Sequence, residues 1–122
     1  GVPEQEHVQG RSLLPIARGE VSPDHHRDFV RSEYYDALDA HFVAGDGNGT
    51  FGTMYRNRRH KLCVYHGHGL GELYDLEADP WEFNNLWDSP EHQTLKLELM
   101  NASYDQSMLQ TINVGTRRIA PM

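Results

Sequence analysis

The sequence predicts an α+β domain, a small antiparallel sheet of about four strands packed against a C-terminal helix. Two observations lead there. Between residues 28 and 76, short runs rich in aromatic and β-branched residues are separated by glycine-rich or basic turns. After residue 88 the apolar period changes to that of a helix.

Residues 1–20 have no strong period. Gly10-Arg-Ser-Leu-Leu-Pro-Ile-Ala-Arg-Gly19 is expected to form one or two helical turns, with Ser12 as N-cap, Pro15 in the first turn and Gly19 as the stop. The first strand is expected over Asp28–Tyr35, followed by the loop Gly45-Asp-Gly-Asn-Gly49 and a second strand over Phe51–Arg56. A third strand spans His60–His66 and a fourth Glu72–Leu76, joined through Gly67-His-Gly-Leu-Gly71, a hairpin loop of moderate length. Such short connections make successive strands antiparallel neighbours. Asp79-Pro80 starts a turn, aspartate accepting backbone hydrogen bonds and proline presetting φ.

The helix is expected over residues 88–112. Ser89 is a suitable N-cap, Pro90 suits the first helical position, and Glu91 complements the positive end of the dipole. Leu95, Leu99, Ala102 and Leu109 form one stripe that can cover a sheet face. Met100, Tyr104 and Met108 lie nearly opposite, either partly exposed or in contact with a further domain or a second copy in a homodimer. Gly115 closes the ordered part, leaving a mobile tail over 116–122.

With 122 residues the chain holds at most one domain. A net charge of −7 opposes a nucleic-acid partner, because a run of phosphates must be neutralised by cations. No apolar run approaches the roughly 20 residues of a membrane span. The single cysteine, Cys63, excludes an internal disulfide, leaves the compartment open, and reads as a small buried hydrophobe between Leu62 and Val64.

Among candidate sites, His66 and His68 stand two apart, as on one strand face, where two imidazoles can converge on a cation or an anionic ligand. A zinc site needs further ligands at defined spacing, and none is visible. Solvated loop histidines are the alternative reading. Asp46-Gly-Asn-Gly-Thr50 fails as an EF-hand loop, since its sixth and twelfth positions, Phe51 and Asn57, are not glycine and glutamate. Arg56, Arg58, Arg59 and Lys61 form a basic cluster that either steers an anionic ligand or is a solvated turn whose arginines pair with Glu72 or Asp75 on the next strand. Trp81, Phe83 and Trp87 are expected as core or interface anchors, with a sugar-stacking platform as the other possibility.

The run Met54-Tyr-Arg-Asn-Arg-Arg-His-Lys-Leu-Cys-Val-Tyr-His66, followed by Gly71-Glu-Leu-Tyr-Asp-Leu-Glu-Ala-Asp-Pro-Trp-Glu-Phe-Asn-Asn-Leu86, closely resembles the C-terminal subdomain of the sulfatase family. Gln9-Gly-Arg-Ser-Leu-Leu-Pro15 resembles the segment that joins this subdomain to the catalytic domain. The likeness spans most of residues 9–100 and is specific over 53–86. It implies that residues 1–20 are a linker from a missing N-terminal catalytic domain, 21–112 the subdomain, and 113–122 a tail.

Sulfatases, as a family, attack sulfur with the hydrate of formylglycine, made from a Cys or Ser in a C/S-x-P/A-x-R motif and held on calcium. Cys63-Val-Tyr-His-Gly67 has neither the Pro/Ala nor the Arg. The resemblance therefore implies no catalytic residue and no metal ligand in this chain, with calcium and formylglycine belonging to the missing catalytic domain. It implies a sulfated small molecule or sugar as substrate of the intact enzyme. It also turns the loop of His66 and His68 toward the cleft, making them substrate-binding candidates. The leading expectation is a sulfatase fragment that completes the fold and shapes the cleft rim. The rival is a free-standing interaction or carbohydrate-binding module.

Overall fold

The structure, a computed structural model, describes residues 10–24, 26–35 and 51–112. The chain divides into two compact units, one of residues 27–103 and one of residues 1–26 with 104–122. In the second unit a short helix, α1 (Leu14–Ala17), ends in a Schellman motif. Glu20 N–H donates to the Pro15 carbonyl and Gly19 N–H to that of Ile16, both at 2.9 Å. Gly19 supplies the positive φ of 70° that the motif needs, so it is the expected stop. Ser12 sits one residue before the N-cap, Leu13, and its hydroxyl accepts from Leu14 N–H at 3.2 Å.

The unit of residues 27–103 is built on an antiparallel meander in the order β1 (Phe29–Tyr35), β2 (Phe51–Asn57), β3 (His60–His66), β4 (Leu70–Asp75). Its register places Arg31, Tyr55, Leu62 and Leu73 in one row across the four strands. Because side chains alternate, this row lies on a single face. Leu62 and Leu73 are 1% and 0% exposed there, and Leu99 of the helix α2 (Gln93–Ile112) closes over them with Leu95 and Ala102. Phe29 stacks on Tyr55 at a centroid distance of 5.4 Å. At the β1 side of this face Arg31 ion-pairs with Glu33 and donates to the buried Ser103 hydroxyl at 3.4 Å, tying strand to helix.

The α+β architecture with its four-stranded antiparallel sheet and C-terminal helix is thus as expected. Several details differ. β4 begins at Leu70, because the hairpin after β3 closes in four residues, 66–69, with Gly67 and Gly69 at φ of 85° and 65°. The α-helix begins at Gln93, not at 90. Pro90–His92 form a 3₁₀ turn, and the Ser89 hydroxyl bonds the His92 ring at 2.8 Å instead of a backbone N–H. Leu109 is 62% exposed, so it does not extend the buried stripe of Leu95, Leu99 and Ala102. Met100, Tyr104 and Met108 are exposed, as their helical phase requires. The 45–49 loop and the 113–122 tail lie outside the described residues.

Candidate functional site

The loop-bearing end of the sheet brings β2 and β3 together at Phe51 and His66. His66 is the last residue of β3. Its ring Nε2 lies 2.9 Å from the Thr53 hydroxyl, which fixes an otherwise exposed imidazole against β2. His68 is in the turn, its N–H donating to the Tyr65 carbonyl at 3.3 Å. Strand alternation therefore stops at His66. The expectation that both imidazoles share a strand face does not hold, because positive φ at Gly67 and Gly69 turns the chain between and after them.

Two members of the basic cluster, Arg59 and Lys61, form ion pairs, while Arg56 and Arg58 are exposed. Asn57 Oδ1 accepts from Arg59 N–H and His60 N–H at 2.9 and 2.7 Å, an Asx turn that makes the β2–β3 connection tight. From this turn Arg59 reaches Asp75 with Nε and Nη2, the shortest contact 2.7 Å. The guanidinium holds the Asp75 carboxyl well below the usual carboxylate range. Lys61 pairs with Glu82 at 2.5 Å, a partner from the turn beyond β4. Glu72 instead accepts from the Tyr65 hydroxyl at 2.8 Å, which with burial pushes the phenol up to about 12.

After β4 the chain folds back on itself. Asp79 Oδ2 accepts from Asn84 N–H at 2.7 Å, the role expected of a turn-initiating aspartate. Sequence reasoning missed Asn85, which matters more. Its Oδ1 accepts from Leu73 N–H and Trp87 N–H, each at 3.0 Å, and its Nδ2 donates to the Gly71 carbonyl at 3.1 Å. This side chain and the Leu86 N–H, which donates to the Leu73 carbonyl at 2.8 Å, together pair the middle of the exposed β4 edge. A second asparagine directly after the turn was the available signal. Trp87 then lies flat on Gly71, and Lys96 stands 4.3 Å above its ring. Trp81 and Phe83 are 77% and 88% exposed, which removes them from the core. Between them Glu82, at a φ of 59°, turns to accept from Lys61.

Among the described residues no group of three or more His, Cys, Asp or Glu side chains is placed to hold a metal ion. Cys63 is half-buried on the sheet face opposite α2, where burial and the neighbouring Glu72 push its thiol up, away from the reactive thiolate. These donors do not fit the calcium site or the formylglycine precursor of a sulfatase.

The meander, its helix and the Asp79–Asn85 return match a known family. Residues 1–108 fit the family of the C-terminal part of N-sulphoglucosamine sulphohydrolase. The chain belongs to this sulfatase C-terminal family. Solved structures similar to this member include a 2-O glycosaminoglycan sulfatase (28% identity, TM-score 0.71), which the chain covers over 22% of its length and 91% of its own. A protein solved with its substrate D-glucosamine-2-N,6-O-disulfate is 25% identical with a TM-score of 0.64, covering 93% of this chain and 22% of that one. A phosphonate monoester hydrolase from Silicibacter pomeroyi is 26% identical with a TM-score of 0.60, over 89% of this chain and 22% of the other. An uncharacterised protein of Haemophilus influenzae is 32% identical over 95 residues, 78% of this chain and 43% of the relative. The sulfatase C-terminal chain therefore spans less than half of that relative and under a quarter of the solved neighbours.

Proposed function

We infer that this chain is the C-terminal part of a sulfuric ester hydrolase, and that in the intact enzyme it completes the fold and borders the substrate cleft. The observation that carries the reading is the family match over residues 1–108, seated on the sheet and return turn that the same motifs build. His66 and His68, at the loop-bearing end of the sheet, are the residues proposed to touch a sulfated sugar or small molecule. Neutral or cationic imidazoles donate to sulfate oxygens, and the Thr53 contact orients one of the two. The catalytic domain supplies the formylglycine and the calcium, whose chemistry is attack on sulfur and stabilisation of the sulfate oxygens.

On this reading residues 1–122 alone do not hydrolyse nitrophenyl sulfate, with or without calcium. Turnover that co-purifies with the chain and disappears in Cys63→Ala overturns it. In the complete natural polypeptide, His66→Ala and His68→Ala are expected to raise KM for a sulfated sugar by roughly 10-fold, the effect of a lost charge-assisted hydrogen bond. The rival reading, a free-standing carbohydrate-binding module, draws on the exposed Trp81 and Phe83. It requires a natural polypeptide without a C/S-x-P/A-x-R motif.

A further inference from the structure

The return turn after β4 carries two aromatic rings that the fold itself does not use. Trp81 and Phe83 are 77% and 88% exposed, and among the described residues neither stacks on another ring nor faces a cation. The backbone that carries them is nevertheless fixed. Glu82 N–H donates to the Asp79 carbonyl at 3.2 Å, Asn84 N–H donates to Asp79 Oδ2 at 2.7 Å, and the Glu82 carboxylate accepts from Lys61. Between the rings Glu82 keeps a φ of 59°, a left-handed conformation that costs free energy in a residue with a side chain. Rings on a pinned turn lose little entropy when a ligand covers them.

Their surroundings select the ligand. A protein partner needs a broader apolar patch around such anchors, but here Asp79, Glu82, Asn84 and Asn85 adjoin the rings. A sugar fits this mixture. The negative face of an aromatic ring attracts the C–H side of a pyranose, while amide and carboxylate groups bond its hydroxyls. Charge narrows the choice. The β2–β3 turn lies at the same end of the sheet, where Arg59 neutralises Asp75 and Lys61 neutralises Glu82. Arg58 of that turn is exposed and has no acidic partner among the described residues. A guanidinium so placed binds an oxyanion such as sulfate through two parallel hydrogen bonds.

We propose that Trp81, Phe83 and Arg58 form a binding site for a sulfated polysaccharide, at the other end of the sheet from His66 and His68. The choice of a sulfated ligand rests on the functional reading above. Its length follows from the strand. His60 and His66 bound β3, and six steps of roughly 3.3 Å separate its ends by about 20 Å. A ligand that touches both ends is therefore a chain of several sugars. Holding one part of the chain raises the effective concentration of the rest at the His66 end.

The test measures binding of heparin, with desulfated heparin as the second probe, to the complete natural polypeptide. Heparin is expected to bind more tightly than its desulfated form. Trp81→Ala and Phe83→Ala are each expected to weaken both probes about 10-fold, as loss of an aromatic anchor does. Arg58→Ser is expected to weaken heparin alone and to reduce the salt dependence of its binding. All three side chains are exposed, so thermal melts matching the native protein confirm that the variants fold. Heparin binding indifferent to the two ring substitutions overturns the proposal, as does indifference to Arg58→Ser. A native dimer that Trp81→Ala dissociates also overturns it, because the rings then belong to a second copy. A polypeptide that hydrolyses nitrophenyl sulfate yet fails these binding tests loses this site and keeps the functional reading. One that binds heparin through Trp81 but lacks the C/S-x-P/A-x-R motif keeps this site and overturns the functional reading.

Discussion

The two faces of this sheet use the same building device to opposite ends. On the face toward α2, a row of Tyr55, Leu62 and Leu73 is sealed by Leu99, and the glycine at 71 is plugged by Trp87 of the same chain. On the other face Met54, Cys63 and Tyr65 are only half-buried, and the glycine at 52 has no plug among the described residues. The difference teaches that apolar cover depends on what α2 and Trp87 can reach, while the return turn gives the other face only the Glu82 carboxylate on Lys61.

The largest test of this contrast is Leu73→Ala. Leu73 is fully buried beneath α2, and its truncation is expected to cost about 2–5 kcal/mol in denaturant melts. A cost below that of a typical surface substitution breaks the assignment of the covered face as the core. Next comes the glycine pair. Gly71→Ala forces the Trp87 ring off the sheet and is expected to destabilise by about 1–3 kcal/mol, as overpacking does. Gly52→Ala in residues 1–122 is expected to stay within about 0.5 kcal/mol of the unsubstituted chain. Equal losses at the two glycines erase the distinction between plugged and open notches.

Asp79→Ala removes the acceptor for Asn84 N–H and is expected to cost about 1 kcal/mol, with Trp87 fluorescence reporting any loosening of the plug. The smallest effect is pH dependence. His60 is half-buried on the covered face, and burial lowers its imidazole from the ordinary 6.5 more than the facing Asp75 and Glu77 raise it, with Arg59 and His92 adding to the fall. A lowered folded pKa means the unfolded chain takes the proton first. Stability is therefore full above pH 6.5 and declines as pH drops through the folded value, and His60→Gln should flatten that slope. On the open face the sign reverses. Tyr65, raised to about 12 by Glu72, contributes stability below pH 10 that is lost as pH rises through 12.

Much of this fold was legible as residue pattern. The third strand, His60–His66, coincides with its expectation, and β1 and β2 differ from theirs by one residue each at a terminus. Alternation and turn residues are local signals, set by sterics within a few neighbours, so they survive into the folded chain. The candidate site was less legible. Two histidines at a strand-like spacing suggest a shared face, but the backbone at Gly67 and Gly69 takes the left-handed region. The choice of turn depends on the register of β3 with β4, not on the histidines.

By itself the sequence determined the order and kind of the elements, the membership in a sulfatase C-terminal family, and the absence of a nucleophile motif, because each of these is written in short, contiguous strings. Tertiary structure alone decided that Asn85 and Leu86 pair with the edge of β4 at Gly71 and Leu73, that Lys61 pairs with Glu82 across the return turn, and that Trp81 and Phe83 face solvent while Trp87 does not. It also decided which glycine is filled. These outcomes depend on contacts between residues distant along the chain, set by strand register and the path of the return turn, neither of which a local pattern specifies.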